Sequence, residues 1–197
     1  MQSPDLIRAR FAEVQERIGE GVTIVAATKY VALRDMAALI DAGVTVVGEN
    51  RAQDLEAKHA EYGDAFRWHF IGHLQSNKVK VVNQMCELVH SLDSDSAARR
   101  LEVPALVQVN LAGEGSKSGV DPVEIAGYLA YDVRGLSAMP PAAATPEESR
   151  PWFARLRELA AEHGLRELSM GTTQDYAVAA DEGATYIRVG SILFADP

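Results

Sequence analysis

Eight short runs of apolar residues alternate along the chain with stretches of helical periodicity. Because these runs lack the polar alternation of a half-exposed strand, they are predicted to be buried parallel strands. The runs cover residues 22–28, 44–48, 66–72, 88–92, 105–110, 133–139, 167–171 and 185–190. The helical stretches cover residues 4–18, 33–42, 52–62, 75–84, 95–101, 122–131, 147–163 and 174–182. One helix followed by eight strands that alternate with helices predicts an α/β fold, a (β/α)8 TIM barrel with an extra N-terminal helix.

The length of the chain agrees with one such barrel. TIM barrels typically have about 250 residues and as few as about 200, so a chain of 197 residues leaves room for short loops only. The segment 140–146, rich in Pro and Ala, is the nearest candidate for a linker, but its length is typical of a loop. We therefore predict a single domain over residues 1–197.

Charge and cysteine content exclude several classes of protein. The formal net charge of −9 argues against a nucleic-acid or anionic-membrane surface, since phosphate groups would be repelled. Cys86 is the single cysteine, which favours a reducing compartment and an inert buried thiol. The N-terminus lacks the apolar region of a signal peptide, and no run approaches the roughly 18 apolar residues of a membrane helix. We expect a cytoplasmic protein.

The first apolar run ends at Lys29. The carboxyl ends of barrel strands surround a shared mouth, which is where such folds carry their sites. An amine held there beside apolar walls would lose hydration, which disfavours its charged form and leaves it able to attack a carbonyl. The alternative is a strand-end lysine whose amine simply reaches water.

The loops that follow the last two strands have the composition of a phosphate site. Barrels often bind phosphate there, and residues 169–173 and 190–191 each offer a glycine for close backbone approach and a hydroxyl. Thr172 and Asp175 could instead form a helix-capping pair. Arg188 lies in an otherwise apolar segment, where a charge needs a partner, and an ion pair with Glu49 or another strand-end carboxylate is the structural alternative.

A lysine, a phosphate site and an arginine between them correspond to the aldehyde, phosphate and ring nitrogen of pyridoxal phosphate (PLP). Eight motifs extend this agreement over nearly the whole chain. They are ATK at 27–29, GENR at 48–51, WHFIGHLQSNK at 68–78, HSLDS at 90–94, VQVN at 107–110, SKSG at 116–119, LSMG at 168–171 and IRVG at 187–190. In these motifs the chain resembles the pyridoxal phosphate homeostasis protein family, whose members resemble the N-terminal barrel domain of alanine racemase.

The resemblance implies roles for particular residues. Lys29 matches the family's Schiff-base lysine, and Arg188 matches the arginine that faces the pyridine nitrogen. Asn50 and His73 match residues that line the cofactor pocket. The phosphate-binding loops match Ser169, Met170, Gly171, Thr172, Thr173, Gly190 and Ser191.

The chain also departs from the family pattern. Thr172 and Thr173 replace the usual Met-Ser but keep a hydroxyl, so we expect phosphate binding to survive. The segment 135–138 reads GLSA where the family has Gly-Leu-Met-Thr, which changes the packing over the pocket. Lys117, in the glycine-rich loop 112–119, could contact phosphate or a partner protein, or be an exposed lysine in a flexible loop.

The implied function is a PLP-binding protein of intracellular vitamin B6 homeostasis, monomeric and non-catalytic, that passes PLP to apoenzymes. A charged guanidinium leaves the pyridine nitrogen unprotonated, which makes PLP a weak electron sink. Racemisation needs a second base on the opposite face. In alanine racemases a further C-terminal domain supplies that base, and the chain is expected to lack such a domain.

Two enzymatic alternatives stay open. One is a PLP-dependent amino-acid racemase or lyase, and the other is a phosphate-binding barrel enzyme that does not use PLP. A zinc enzyme is not indicated. His69 and His73 are four residues apart, but Gly72 separates them at a strand end, so they do not share a helical face. Both are predicted to be pocket or core histidines.

Overall fold

Eight parallel strands close into a barrel in the computed structural model, which describes residues 2–113 and 118–195. The strands are β1 Thr23–Ala27, β2 Val46–Glu49, β3 Arg67–Phe70, β4 Leu88–Leu92, β5 Ala105–Gln108, β6 Val133–Ser137, β7 Glu167–Ser169 and β8 Tyr186–Val189. Each strand pairs in parallel with the next, and β8 pairs with β1, which closes the sheet. The predicted TIM barrel is confirmed.

Helices cover the outside of the barrel. They are α1 Pro4–Ile18, α2 Ala37–Asp41, α3 Ala52–Tyr62, α4 Val79–Met85, α5 Asp95–Ala98, α6 Ile125–Tyr128, α7 Arg150–Glu162, α8 Tyr176–Asp181 and α9 Ser191–Phe194. Single 3₁₀ turns occur at Leu33–Asp35, Gly63–Ala65, Pro122–Glu124 and Pro146–Ser149. The extra N-terminal helix has the predicted bounds, because Ser3 caps it through the backbone N–H of Leu6 and Pro4 occupies its first turn.

The structure differs from the prediction at several element ends. The helix predicted over 33–42 is a 3₁₀ turn followed by the short helix α2, and the helix predicted over 122–131 divides in the same way. The helix α9 was not predicted, since four residues are too few to show a period. No helix in the described part of the chain is both long and apolar enough to span a membrane.

Polar side chains meet inside the barrel below its mouth. His69 Nδ1 lies 2.9 Å from His90 Nε2, and His90 Nδ1 lies 2.7 Å from the hydroxyl of Ser169. The ring of Tyr186 packs edge-on against both imidazoles. Burial, with a contribution from the charge of Arg67, lowers the pKa of His69 to about 4. Burial also lowers the pKa of His90 well below its usual value, so both histidines are neutral core residues.

Candidate functional site

A cavity of about 600 Å³ opens at the carboxyl end of the strands. Most of its walls come from the loop after β1, the residue after β2 and the loops after β7 and β8, and Ile71 after β3 and Met139 after β6 complete them. Of the residues predicted from the sequence, those that line this cavity are Lys29, Asn50, Thr172, Thr173, Arg188, Gly190 and Ser191. The structure therefore places Lys29, Arg188 and the two loops predicted to bind phosphate, those after β7 and β8, around one cavity.

Lys29 lies in the turn that follows β1. The backbone N–H of Val31 donates to the carbonyl oxygen of Thr28 at 2.8 Å, so Lys29 and Tyr30 occupy the centre of the turn. Lys29 is exposed, and its Nζ lies 4.7 Å from the centroid of the Tyr30 ring. The expectation that apolar walls strip this amine of water is wrong, because the lysine lies at the open rim of the cavity.

Arg188 brings a buried cation to the cavity wall. Arg188 is 7% exposed, and its Nη2 donates to the carbonyl oxygen of Ala138 at 2.8 Å. Its Nε is buried and has no hydrogen-bond partner. Burial lowers the pKa of the guanidinium to about 10, and the nearby carboxylate of Asp175 opposes that shift. The structural alternative, an ion pair between Arg188 and Glu49, is not formed, since Glu49 pairs with Lys58 at 2.6 Å.

The loops after β7 and β8 are joined by Thr173. Its hydroxyl oxygen accepts from the backbone N–H groups of Gly190 and Ile192, at 3.3 and 3.4 Å. The hydroxyl proton therefore stays available to an acceptor in the cavity. Thr172 differs, because its N–H and its hydroxyl both donate to Asp175 Oδ1. The N-cap of the following helix is Asp175 rather than Thr172.

Asn50 follows β2 and lines the same cavity as the loops after β7 and β8. The chain at Gly72, after β3, passes so close that a Cβ there would lie 2.1 Å from the carbonyl oxygen of Asn50. A glycine at that position is therefore needed to seat Asn50. The side-chain Oδ1 of Asn50 is buried without a hydrogen-bond partner.

Four predicted site residues lie outside the lining of this cavity. The hydroxyl of Ser169 contacts His90 in the barrel interior, and Met170 is fully buried. Gly171 has φ +89°, and a Cβ there would lie 2.5 Å from the Cβ of Ala179, so its role in the structure is a tight turn. His73 is exposed, and its Nδ1 lies 3.4 Å from Asp93 Oδ2. Lys117 lies outside the described residues.

Several lining residues were not identified from the sequence. They are Ala27, Tyr30, Val31, Asp35, Ile71, Met139, Gln174, Phe194 and Ala195. Ala27, Tyr30, Ile71 and Met139 lie at or just after strand ends, and that position was the available signal. Asp35, Phe194 and Ala195 lie further from a strand end and carried no such signal. Cys86 is buried as expected, and burial raises the pKa of its thiol to about 12. Within the described ranges, no cluster of three His, Cys, Asp or Glu side chains could hold a metal ion.

Comparison with known sequences shows to which family the chain belongs. No family model matches the chain. The pyridoxal phosphate homeostasis protein of Aquifex aeolicus is 36% identical over 95% of this chain and 93% of its own length. The protein of the same name from Pseudomonas aeruginosa is 38% identical over 95% of this chain and 91% of its own length. The chain belongs to the pyridoxal phosphate homeostasis protein family.

Solved structures agree with this family assignment. The structure of PipY of Synechococcus elongatus with PLP bound is 33% identical, has a TM-score of 0.87, and matches 96% of this chain and all of that one. A lysine/ornithine decarboxylase of Vibrio vulnificus shares the fold alone. It has a TM-score of 0.75 and 15% identity, over 98% of this chain and 63% of that one. The barrel of this family member is thus of a type also found in larger proteins.

Proposed function

We propose that the protein binds pyridoxal 5′-phosphate, holds it as a Schiff base on Lys29, and serves intracellular vitamin B6 homeostasis without catalysing turnover. The observation that carries this proposal is the convergence of Lys29, Arg188 and Thr173 on one cavity. The cavity of about 600 Å³ is within the range of small-molecule sites. The names of the relatives and the PLP-bound PipY structure support the same ligand.

The unpartnered atoms in the cavity wall fit this ligand. A buried N–H without an acceptor, such as Nε of Arg188, is costly unless a ligand supplies one, and a pyridine nitrogen is an acceptor. The free hydroxyl proton of Thr173 and the hydroxyl of Ser191 suit phosphate oxygens. Asn50 Oδ1 is left without a donor, so the amide can bond a polar group of the ligand.

Each residue then has a defined task. Lys29 would supply the amine that condenses with the aldehyde of PLP, with release of one molecule of water. Arg188 donates to the ring nitrogen and keeps it unprotonated, because a guanidinium does not give up its proton readily. PLP supplies the aldehyde and the electron-withdrawing ring when it is bound. Because Lys29 lies at the open rim, the linkage is accessible to water or to an incoming amine.

Binding is favoured over catalysis by the character of the cavity wall. Racemisation requires a second base placed across from the lysine. Apart from Lys29 and Arg188, the acid–base side chains on the described cavity wall are those of Tyr30 and Asp35. Tyr30 is 90% exposed, and Oδ1 of Asp35 lies 3.9 Å from Nε of Arg34. The proposal includes transfer of PLP to apoenzymes by a monomeric, cytoplasmic protein.

The decisive experiment combines visible absorbance with borohydride trapping. Purified protein mixed with PLP is expected to absorb as a Schiff base, and reduction followed by peptide mapping should place the adduct on Lys29. An adduct on another lysine would contradict the assignment. Absence of any spectral change would favour a phosphate-binding enzyme that does not use PLP. Steady turnover of L-alanine or L-serine that Lys29→Ala abolishes would favour the racemase or lyase.

A further inference from the structure

A buried ion pair adjoins the turn that carries Lys29. Lys58, on α3, lies with its Nζ 2.6 Å from Oε1 of Glu49, the last residue of β2. The two side chains are 6% and 0% exposed. Neither residue lines the cavity.

Both members of the pair contact Thr28, the residue just before Lys29. Lys58 Nζ donates to the carbonyl oxygen of Thr28 at 2.7 Å, and the hydroxyl of Thr28 donates to Glu49 Oε1 at 2.5 Å. The same carbonyl oxygen accepts the 2.8 Å bond from Val31 that closes the turn. The side chain and the backbone of Thr28 are therefore both held by the ion pair.

Stability alone is a weak reason for such a pair. Replacing a buried ion pair by apolar residues of similar volume is often neutral or stabilising, because two charges must be stripped of water. Here the cost is higher, since Glu49 Oε2 is buried without a partner. What apolar residues could not supply is a donor and an acceptor with fixed directions at Thr28.

We propose that Lys58 and Glu49 are positioning residues that hold the Thr28–Val31 turn so that the amine of Lys29 reaches the aldehyde carbon of PLP. This inference rests on the proposed function. The ion pair acts on the covalent step and leaves the phosphate and ring contacts unchanged, because the phosphate contacts come from the loops after β7 and β8 and the ring contact comes from Arg188 on β8. The network is thus a means of aiming the nucleophile.

Two probes separate positioning from general damage. PLP reports binding and imine formation together, whereas pyridoxine 5′-phosphate carries an alcohol in place of the aldehyde and reports non-covalent binding only. For Lys58→Met, we expect the rate of imine formation to fall by ~10- to 100-fold. Binding of pyridoxine phosphate should change by less than about twofold, since its contacts are retained.

A milder pair of variants tests the same idea if Lys58→Met fails to fold. Thr28→Val keeps the shape of the side chain but removes the donor to Glu49, and should slow imine formation by ~3- to 10-fold. Thr28→Ser keeps the hydroxyl that donates to Glu49, so its rate of imine formation should stay close to that of the wild type. Lys80→Met removes an exposed lysine outside the network and should leave both probes at wild-type values.

The outcomes distinguish this inference from the proposed function. Wild-type protein that forms no adduct on Lys29 would remove the proposed function itself. An adduct that forms at the wild-type rate in folded Lys58→Met and in Thr28→Val would overturn the positioning role alone. Parallel loss of PLP and pyridoxine phosphate binding would also overturn it, because the network would then act on the cavity as a whole.

Discussion

The barrel has two polar regions along its axis, and they differ in how their polar atoms are satisfied. In the interior, His90 bonds both His69 and Ser169. At the mouth, Nε of Arg188 and Oδ1 of Asn50 are buried without partners. The strand β8 contributes to both regions, since Tyr186 packs on the histidines and Arg188 lies two residues further along.

This difference separates a structural polar cluster from a binding site. Buried polar groups in folded proteins are nearly always hydrogen-bonded, so an unpartnered one needs an explanation. The unpartnered buried side-chain atoms in the described ranges belong to Glu49, Asn50, Asp93 and Arg188. All of these residues lie near or beyond the carboxyl ends of strands, on the side of the cavity. Asn50 and Arg188 also line the cavity, so a ligand there can satisfy the atoms that these two residues leave unpartnered.

The largest expected effect is at the mouth. Lys29→Ala should abolish the borohydride-trapped adduct, because no other amine is placed on the described cavity wall. The free energy of unfolding without PLP should change by less than about 0.5 kcal/mol, since the side chain is exposed. The mass of the trapped adduct tests the first expectation, and denaturant unfolding tests the second. Lys80→Ala, at another exposed position, should leave the adduct and the free energy of unfolding unchanged. An adduct that persists in Lys29→Ala would contradict the assignment of Lys29 at the mouth as the site of the Schiff base.

A pH series without PLP tests the interior. The pKa of His69 is about 4 in the folded protein, against about 6.5 when unfolded, so the unfolded chain binds more protons in between. The free energy of unfolding should therefore fall as the pH drops from about 6.5 to 4, with a share of about 3 kcal/mol from this group. His69→Gln should remove that share and make the slope shallower, while His90, whose pKa is also lowered by burial, keeps its own contribution. An unchanged slope in His69→Gln would mean that the histidine is not the source.

Arg188→Gln should act mainly on binding. Loss of a charged donor to the ring nitrogen is expected to weaken PLP binding by about 2 kcal/mol, or ~30-fold. Stability without PLP should change less, because the removed guanidinium was buried with one N–H unpartnered. Titration of PLP and thermal unfolding provide the two measurements. Arg166→Gln, at an exposed position, is the matched control, and equal losses in both variants would contradict the role of Arg188.

The smallest expected effect decides the role of Ser169. Ser169→Ala removes the partner of His90 and should lower the free energy of unfolding by about 1 kcal/mol. Affinity for PLP should stay within about twofold, as the hydroxyl points into the interior. Thr173→Ala is the counterpart at the mouth and should weaken PLP binding instead. A loss of affinity in Ser169→Ala would place this hydroxyl in the phosphate site, as the family resemblance implies.

Much of the fold was predictable because it depends on local pattern. The apolar runs and helical periods located every strand of the barrel, and the extra helix Pro4–Ile18 was bounded by its serine cap and proline. Short elements were harder to predict. The helix Ser191–Phe194 forms because the chain turns directly after β8, and four residues show no period.

The site was predictable to the extent that it depends on strand ends. Lys29, Arg188 and Thr173 could be placed together from the barrel topology alone, because all strand ends open on one side. His73 also follows a strand, but its loop carries it to the surface beside Asp93. The position of a residue near a strand end therefore predicts the neighbourhood of the mouth and not contact with the cavity.

By itself the sequence determined the order of the elements, the closure of the barrel and the end at which the site lies, since these follow from periodicity and topology. The tertiary structure decided which partner each polar group has. Ser169 faces His90, and Lys58 reaches Thr28, across separations of 79 and 30 residues. Such contacts arise only when the closed barrel brings distant strands, turns and helices together, and no local pattern encodes them.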